Sequence, residues 1–382
     1  MSEPVIVEIA SLAAGGDGVG RLADGRIVFV PWTAPGDRVE LRLREEKKRF
    51  ARGELRRLVE PGTSRREAPC PVAGVCGGCR WQHVDYPAQR EAKATILRDA
   101  VERIAGLPLE APPEIVPSPE FGYRARARIF AEGGRIGFRE LASHDVAGVA
   151  QCPVLTERLN AVLGELAGDP PSGPAEWLLA EGDDETLSVR TRGPGAKAGP
   201  ITLRVGEDSL RVGPGVFFQA NAPLRGALVE AVLAAAGKGG RAVELYAGAG
   251  FFTAGLARAF LALTAVESDT RATRDLRHNL AAAGQEHVSV RPESVEAFLS
   301  DPRVPRPEVV VLDPPRVGLP RHGAPALASL GARRIVYVSC DPATLARDLK
   351  ALTIEGYELN ALRGFDLFPQ TSHIEAVATL ER

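Results

Sequence analysis

A chain of 382 residues exceeds one typical domain, and its 45% hydrophobic content supplies enough apolar mass for two or three cores. No apolar run approaches the ~20 residues that span a bilayer and Met1-Ser2-Glu3-Pro4 lacks a charged-then-apolar leader, so no membrane association and a cytoplasmic location are expected. Five cysteines in so long a chain exclude a disulfide framework, and the net charge of −2 conceals local basic stretches.

From the amino terminus, Val5 to Ile9, Gly18 to Leu22, Arg26 to Val30, Arg38 to Leu43 and Arg49 to Leu58 read as short strands. Asp24-Gly25 is a hairpin signal, and five close-spaced strands predict a small OB-like barrel over residues 1–60. The run Gly15-Gly16-Asp17-Gly18-Val19-Gly20, followed by Val30-Pro31 and Pro35-Gly36-Asp37, resembles the TRAM domain, an RNA-binding barrel attached to RNA-modifying enzymes. Phe29 and Trp32 are candidates to stack on bases, with the barrel core as the simpler place for them. Residues 42–66 carry ten Lys/Arg against four Glu, which suits phosphate contact or a solvated face equally.

Residues 61–211 are expected to form a central α+β domain. Cys70, Cys76, Cys79 and the distant Cys152 can close one tetrahedral thiolate site, which zinc and iron–sulfur satisfy alike. His83 lies nearby, and a plain polar role suits it better than ligation. Tyr86 to Leu107 has helical apolar spacing and ends near Gly106. Phe121 to Phe138 alternates, which predicts one strand with Arg124, Arg126 and Arg128 on a single phosphate-contacting face. Residues 168–200 read as a surface loop and hairpin without an assignable role.

Residues 212–382 alternate strand and helix, the pattern of a mostly parallel, doubly wound sheet. The turn Glu244-Leu245-Tyr246-Ala247-Gly248-Ala249-Gly250 opens the first helix, and Glu267 lies 23 residues beyond Glu244, close to the ~20 expected of a ribose-binding carboxylate. The turn lacks a Walker Lys-Ser/Thr, which favours a nucleoside-type cofactor over ATP. Two later strands end in Asp313-Pro314-Pro315-Arg316 and Ser339-Cys340-Asp341-Pro342, which places a thiol at the sheet edge where ligands bind. His373-Ile374-Glu375 precedes the last strand, which in the usual sheet of this class runs antiparallel and so starts at that same edge.

These motifs, with Phe217-Phe218-Gln219-Ala220-Asn221, together resemble the S-adenosylmethionine-dependent RNA uracil-5-methyltransferases, and the barrel and four cysteines resemble their TRAM-containing, 4Fe-4S-bearing 23S rRNA branch. The resemblance implies a class I, Rossmann-like methyltransferase domain over 212–382. It also implies Cys340 as the nucleophile on carbon 6 of uracil and Glu375 as the base. Gln219, Tyr246, Gly248, Glu267 and Asp313 would contact S-adenosylmethionine. Cys70, Cys76, Cys79 and Cys152 would hold one 4Fe-4S cluster as a structural staple, whose loss is expected to reach RNA binding before the methyl-transfer pocket. RNA is the implied partner, 23S rRNA first and the tRNA T-loop second, and no obligate protein partner is evident. Asp341 stands where many relatives have Asn, and its charge is expected to oppose thiolate formation at Cys340.

The rival RNA cytosine-5-methyltransferases carry a second Cys after the Asp-Pro-type turn, where this chain has Pro315-Arg316. Amino-group methyltransferases place an aromatic there. A non-catalytic RNA-binding protein of the same fold would have no need of Cys340 and Glu375.

Overall fold

The computed structural model describes residues 5–183, 186–190 and 199–382. Strands β1 (Val5–Leu12), β2 (Gly18–Arg21), β3 (Ile27–Val30), β4 (Arg38–Glu46) and β5 (Phe50–Glu60) close into a barrel in the order β1-β2-β3-β5-β4. Gly25 takes the positive φ of 87° that the β2–β3 hairpin demands, and Asp24 accepts from the Arg26 amide. Ile9, Val28, Val30, Val39 and Leu41 fill the interior. Neither candidate stacking residue is in that core. Phe29 packs edge-on against Phe50 on the outer face, and Trp32 leans on His83 where the barrel meets the following segment. His83 is buried, bonds to the Thr33 carbonyl, and is held neutral with its pKa lowered to about 4, chiefly by burial.

Helix α1 (Tyr86–Ala100) is capped by Asp85 and continues as a π turn over Val101–Ala105, ending at Gly106 in the left-handed conformation. With β6 (Ile115–Val116) it joins the carboxyl-terminal sheet, because Leu97, Val101 and Ile115 share a core with Leu345 and Leu349.

The expected single strand over 121–138 is a hairpin: β7 (Arg126–Glu132) and β8 (Arg135–Arg139) turn at Gly133-Gly134, both with positive φ. Alternation survives, with Tyr123, Ala125, Ala127 and Ile129 buried. Strand β9 (Val146–Gly148), helix α2 (Glu157–Gly168), β10 (Ala175–Glu181) and β11 (Thr186–Arg190) complete a sheet ordered β11-β10-β7-β8-β9. The expected surface hairpin at 168–200 is therefore part of a folded sheet, with Trp177 and Leu179 in its core, and residues 191–198 lie outside the described residues. Acidic and glycine-rich flanks hide the apolar alternation Ala175, Trp177, Leu179 in the sequence.

The hairpin β12 (Ile201–Val205) and β13 (Asp208–Val212) leads through α3 (Arg225–Ala236) into the expected alternating series. The series runs β14 (Gly239–Leu245), α4 (Thr253–Ala259), β15 (Phe260–Val266), α5 (Thr270–Ala282), β16 (Ser289–Arg291), α6 (Val295–Ser300) and β17 (Val309–Leu312). It continues through α7 (Gly323–Ser329), β18 (Arg334–Ser339), α8 (Pro342–Ile354), β19 (Glu358–Phe365) and β20 (Glu375–Glu381). The sheet order is β16-β15-β14-β17-β18-β20-β19-β6, parallel from β16 to β18 and antiparallel at β20. Ile335, Val336 and Val338 are wholly buried, each contributing roughly 1.5–3 kcal/mol. Among the described residues no helix is long and apolar enough to cross a membrane.

Candidate active site

Strand register assembles the site. Leu245 pairs with Val266 and Leu312, and Leu312 with Tyr337, so β14, β15, β17 and β18 end together. The residues that follow (Tyr246, Glu267, Asp313 and Cys340) consequently share one edge. Because β20 runs antiparallel with Ser339 opposite Ala376, Glu375 arrives at that edge beside Cys340. One cavity of ≈ 580 Å³ is lined by Gln219, Tyr246, Gly248, Glu267, Asp313, Cys340 and Glu375, which brings every proposed cofactor and catalytic residue together.

At the glycine turn Tyr246 has φ 63° and Gly248 φ 58°, and the space where a Gly248 Cβ would point is open. The Gly248 and Asp269 amides donate to the two Glu267 carboxylate oxygens at 2.9 and 2.7 Å, which fixes that carboxylate at the cavity wall. On the opposite wall, Phe218 lies between the guanidinium groups of Arg126 and Arg225, and Arg225 Nε donates to the Gln219 carbonyl at 2.9 Å.

The chemical end is acidic and buried. Burial pushes the Cys340 thiol up to about 11; the Glu375 carboxylate adds to this, Arg316 opposes it, and Asp313 adds a smaller rise. Burial raises the Asp313 and Glu375 carboxyls as well; for Glu375 the neighbouring Asp313 raises it further and Arg316 pulls it down.

Arg316 is the functional residue that sequence reasoning passed over, although it stood in the Asp313-Pro314-Pro315-Arg316 motif. Its guanidinium also lies 3.2 Å from His373 Nδ1. Partial desolvation first and the Arg316 charge second lower the His373 pKa, although the side chain keeps exposure to solvent. The expectation for Asp341 needs correction. Its carboxylate is turned into the N-cap of α8, accepting from the Thr344 amide and hydroxyl at 2.8 and 2.9 Å, and the carboxylates that act on Cys340 are Glu375 and Asp313.

Arg124, Arg126 and Arg128 do not share one solvent face. Arg124 lines the cysteine cavity, Arg126 is half-buried against Phe217 and Phe218, and only Arg128 is exposed, beside Glu176. Much of the basic barrel segment is ion-paired: Arg44 and Arg56 with Glu54, Arg52 and Lys47 with Glu45, Arg57 with Glu40, Arg65 with Asp37 and Arg66 with Glu120. Arg42, Lys48 and Arg49 carry no ion pair among the described residues.

Cys70, Cys76, Cys79 and Cys152 surround a second, mostly apolar cavity of ≈ 40 Å³, and His83 is not part of it. Burial raises the thiols of Cys76, Cys79 and Cys152, to about 12 for Cys79 and about 11 for Cys152. Among the described residues no three His, Cys, Asp or Glu side chains are gathered as a metal-binding group.

Comparison with known proteins agrees with this geometry. Residues 305–382 match the family model "tRNA (Uracil-5-)-methyltransferase" and residues 3–55 the TRAM domain, and residues 222–319 match a model described as conserved hypothetical protein 95. An uncharacterized RNA methyltransferase of Streptomyces coelicolor is 36% identical, over 100% of this chain and 95% of its own length. The 23S rRNA (uracil(1939)-C(5))-methyltransferase RlmD of Pseudomonas putida is 33% identical, over 98% of this chain and 93% of its own. Among solved structures, the Pyrococcus abyssi tRNA (uracil-54, C5)-methyltransferase in complex with S-adenosyl-L-homocysteine superposes with a TM-score of 0.78 at 26% identity, covering 98% of this chain and 99% of that one. A TRAM barrel, a sheet whose edge carries a glycine turn, a thiol and a carboxylate, and full-length relatives of one kind converge: the chain belongs to the RNA uracil-5-methyltransferase family.

Proposed function

We propose that this protein methylates carbon 5 of a uridine in RNA, with 23S rRNA the favoured substrate and Cys340 and Glu375 the reacting groups. The observation that carries the reading is the single cavity in which the glycine turn and Glu267 line one part and Cys340 and Glu375 another. The full-length relative at 33% identity acts on 23S rRNA, whereas the structural relative that acts on tRNA is 26% identical, which ranks the two substrates. Acting on RNA as its relatives do, the enzyme would work in the cytoplasm.

S-adenosylmethionine, when bound, supplies an electrophilic methyl group and a positive charge. Cys340, having given up its proton, would add as the thiolate to carbon 6 of the uracil, and the carbon 5–carbon 6 electrons move onto the carbonyl as an enolate. Carbon 5 would then take the methyl group as its bond to the sulfonium sulfur breaks, with neutral S-adenosyl-L-homocysteine as the leaving group. Glu375 removes the carbon 5 proton, the double bond re-forms, and the Cys340 sulfur leaves carbon 6. Arg316, facing both Cys340 and Glu375, stabilises their anionic forms. Gln219, Tyr246, Gly248 and Glu267 hold the cofactor, and Asp313 sits between cofactor and base. The target base reaches this buried pocket only by leaving its stack.

The roles separate in two variants. Cys340→Ala keeps cofactor binding and loses methyl transfer. Glu375→Gln methylates once and remains covalently joined to RNA on a denaturing gel. Methyl product released at the wild-type rate by Glu375→Gln, with no RNA-linked species, removes Glu375 from the base role.

Cys70, Cys76, Cys79 and Cys152 would hold a 4Fe-4S cluster as a staple between two chain segments. Support comes from the four thiols lining one apolar cavity, a donor set suited to thiolate-bound iron. Anaerobically purified protein then contains iron and acid-labile sulfide, and one zinc with no iron in fully active protein contradicts the assignment.

A further inference from the structure

The connection from β19 to β20, residues 366–374, forms part of the wall of the reactive end. Its Phe368 lines the cavity, and the His373 ring meets Phe368 edge-on and contacts Arg316, the guanidinium that faces Cys340. Its two ends are fixed by the ladder at Phe365 and Glu375. Asn221 donates to the Leu367 carbonyl and Thr371 to the Phe368 carbonyl, but the bonds to Gln370 come from outside the methyltransferase domain. Gln370 is wholly buried with φ 70°, and its partners come from residues 66–89 and from Glu120.

The Arg80 and Trp81 amides donate to the Gln370 carbonyl at 3.0 and 2.9 Å. Gln89 on α1 makes a reciprocal pair, accepting from the Gln370 amide at 2.8 Å and donating to its side-chain oxygen at 2.9 Å. Arg66 Nη2 donates to that same oxygen at 2.9 Å. On either side, Tyr123 hydroxyl donates to the Pro369 carbonyl and Lys93, ion-paired to Asp366, donates to the Phe368 carbonyl. A non-glycine residue in the left-handed region costs strain, and these bonds are what hold it there.

We propose that Gln370 is a positioning residue that locks the Phe368–His373–Arg316 wall around Cys340, and that through it the cysteine-bearing segment controls the RNA side of the methyl-transfer pocket. The inference rests on Cys340 being the nucleophile. Cys79 immediately precedes the two amides that hold Gln370, so a disturbance among the four thiols reaches the reactive wall within two residues. A second path runs from Cys152 through the Val154 carbonyl to Arg124, and from Ala125 to the Ala220 carbonyl beside Gln219. On this proposal a disturbance of the cysteine site reaches the pocket directly, where the sequence led to the expectation that RNA binding would suffer first.

The test uses full-length protein, S-adenosylmethionine and an RNA substrate carrying 5-fluorouridine at the target. After Cys340 adds and the methyl group is transferred, carbon 5 bears fluorine instead of a removable proton, so the adduct accumulates whatever the base does. Gln370→Gly keeps the positive φ but removes the side-chain bonds, and Gln89→Met removes the partner while leaving residue 370 intact. Each is expected to slow adduct formation at least about tenfold, the scale on which small misplacements of reacting groups act, with cofactor and RNA affinities unchanged. The double variant is expected to be no slower than the worse single one.

Adduct formation at the wild-type rate in either folded variant overturns the proposal, as does a matching loss of cofactor affinity in both. If Gln370→Gly does not fold, Gln89→Met decides by the same readings. An adduct that still forms in Cys340→Ala instead removes the reaction reading itself, and the positioning role with it.

Discussion

At the scale of single residues, the site gathers Asp313, Cys340 and Glu375, three groups that become negative on losing a proton, at one cavity. Burial pushes Cys340 up to about 11 and raises Asp313 and Glu375 as well, so these groups keep their protons to higher pH than their free counterparts. A sulfonium ligand stabilises their anionic forms, which lowers each pKa and expels protons. The sign follows: protons leave on binding, so affinity for S-adenosylmethionine rises with pH through the neutral range. S-adenosyl-L-homocysteine lacks that charge and is expected to release fewer protons. Calorimetry in buffers of different ionisation enthalpy measures this, and equal proton release by the two ligands would contradict the electrostatic account. That Tyr246, Glu267, Asp313, Cys340 and Glu375 would meet at one sheet edge was legible because each lies at a strand end. Arg316 was not, since its contact with His373 joins positions 57 residues apart. Asp341 misled because sequence adjacency to the thiol says nothing of direction, and its carboxylate points into a helix cap.

Elements were legible where local pattern and burial agree. The parallel strands β17 and β18 carry the continuous apolar runs Val309–Leu312 and Ile335–Val338, and their boundaries, like those of β14, fall within a few residues of expectation. The β7–β8 hairpin was read as one strand although the buried set shifts from odd positions (Ala127, Ile129, Ala131) to Ile136 across Gly133-Gly134, a change of phase that the two positive φ values accompany. The arginine row fails as a common phosphate face for a related reason: alternation gives the face but not its neighbours, which for Arg126 are Phe217 and Phe218. On the barrel, charge counting overstated the basic surface, since glutamates on facing strands neutralise most of it. The free charges cluster near the β4–β5 turn at Arg42, Lys48 and Arg49. Replacing these three with Gln should flatten the dependence of log affinity on log salt by up to ~0.7 per contact on single-stranded RNA. Replacing Arg124 and Arg126 should leave that slope unchanged. The opposite pattern would return the phosphate face to β7.

For the whole molecule, the residues between the barrel and the methyltransferase sheet act as a shared joint. Trp81 Nε1 and Arg80 reach the barrel at Gly16, Gly15 and Asp17, while the amides of the same two residues reach Gln370. Barrel, cysteine site and reactive wall therefore meet within a few residues. No sequence pattern announces that meeting, because its bonds join groups up to 304 positions apart and several of them use backbone amides and carbonyls that no residue type signals. What unites the molecule functionally is the claim that Cys340 forms a bond to RNA while Glu375 releases it. The most direct measurement is peptide mass mapping of the Glu375→Gln protein after incubation with S-adenosylmethionine and a 23S rRNA fragment containing the target uridine. The account predicts a methylated uridine attached to the peptide that carries Cys340. Methylated RNA with no attached peptide, or attachment through any other residue, would contradict it.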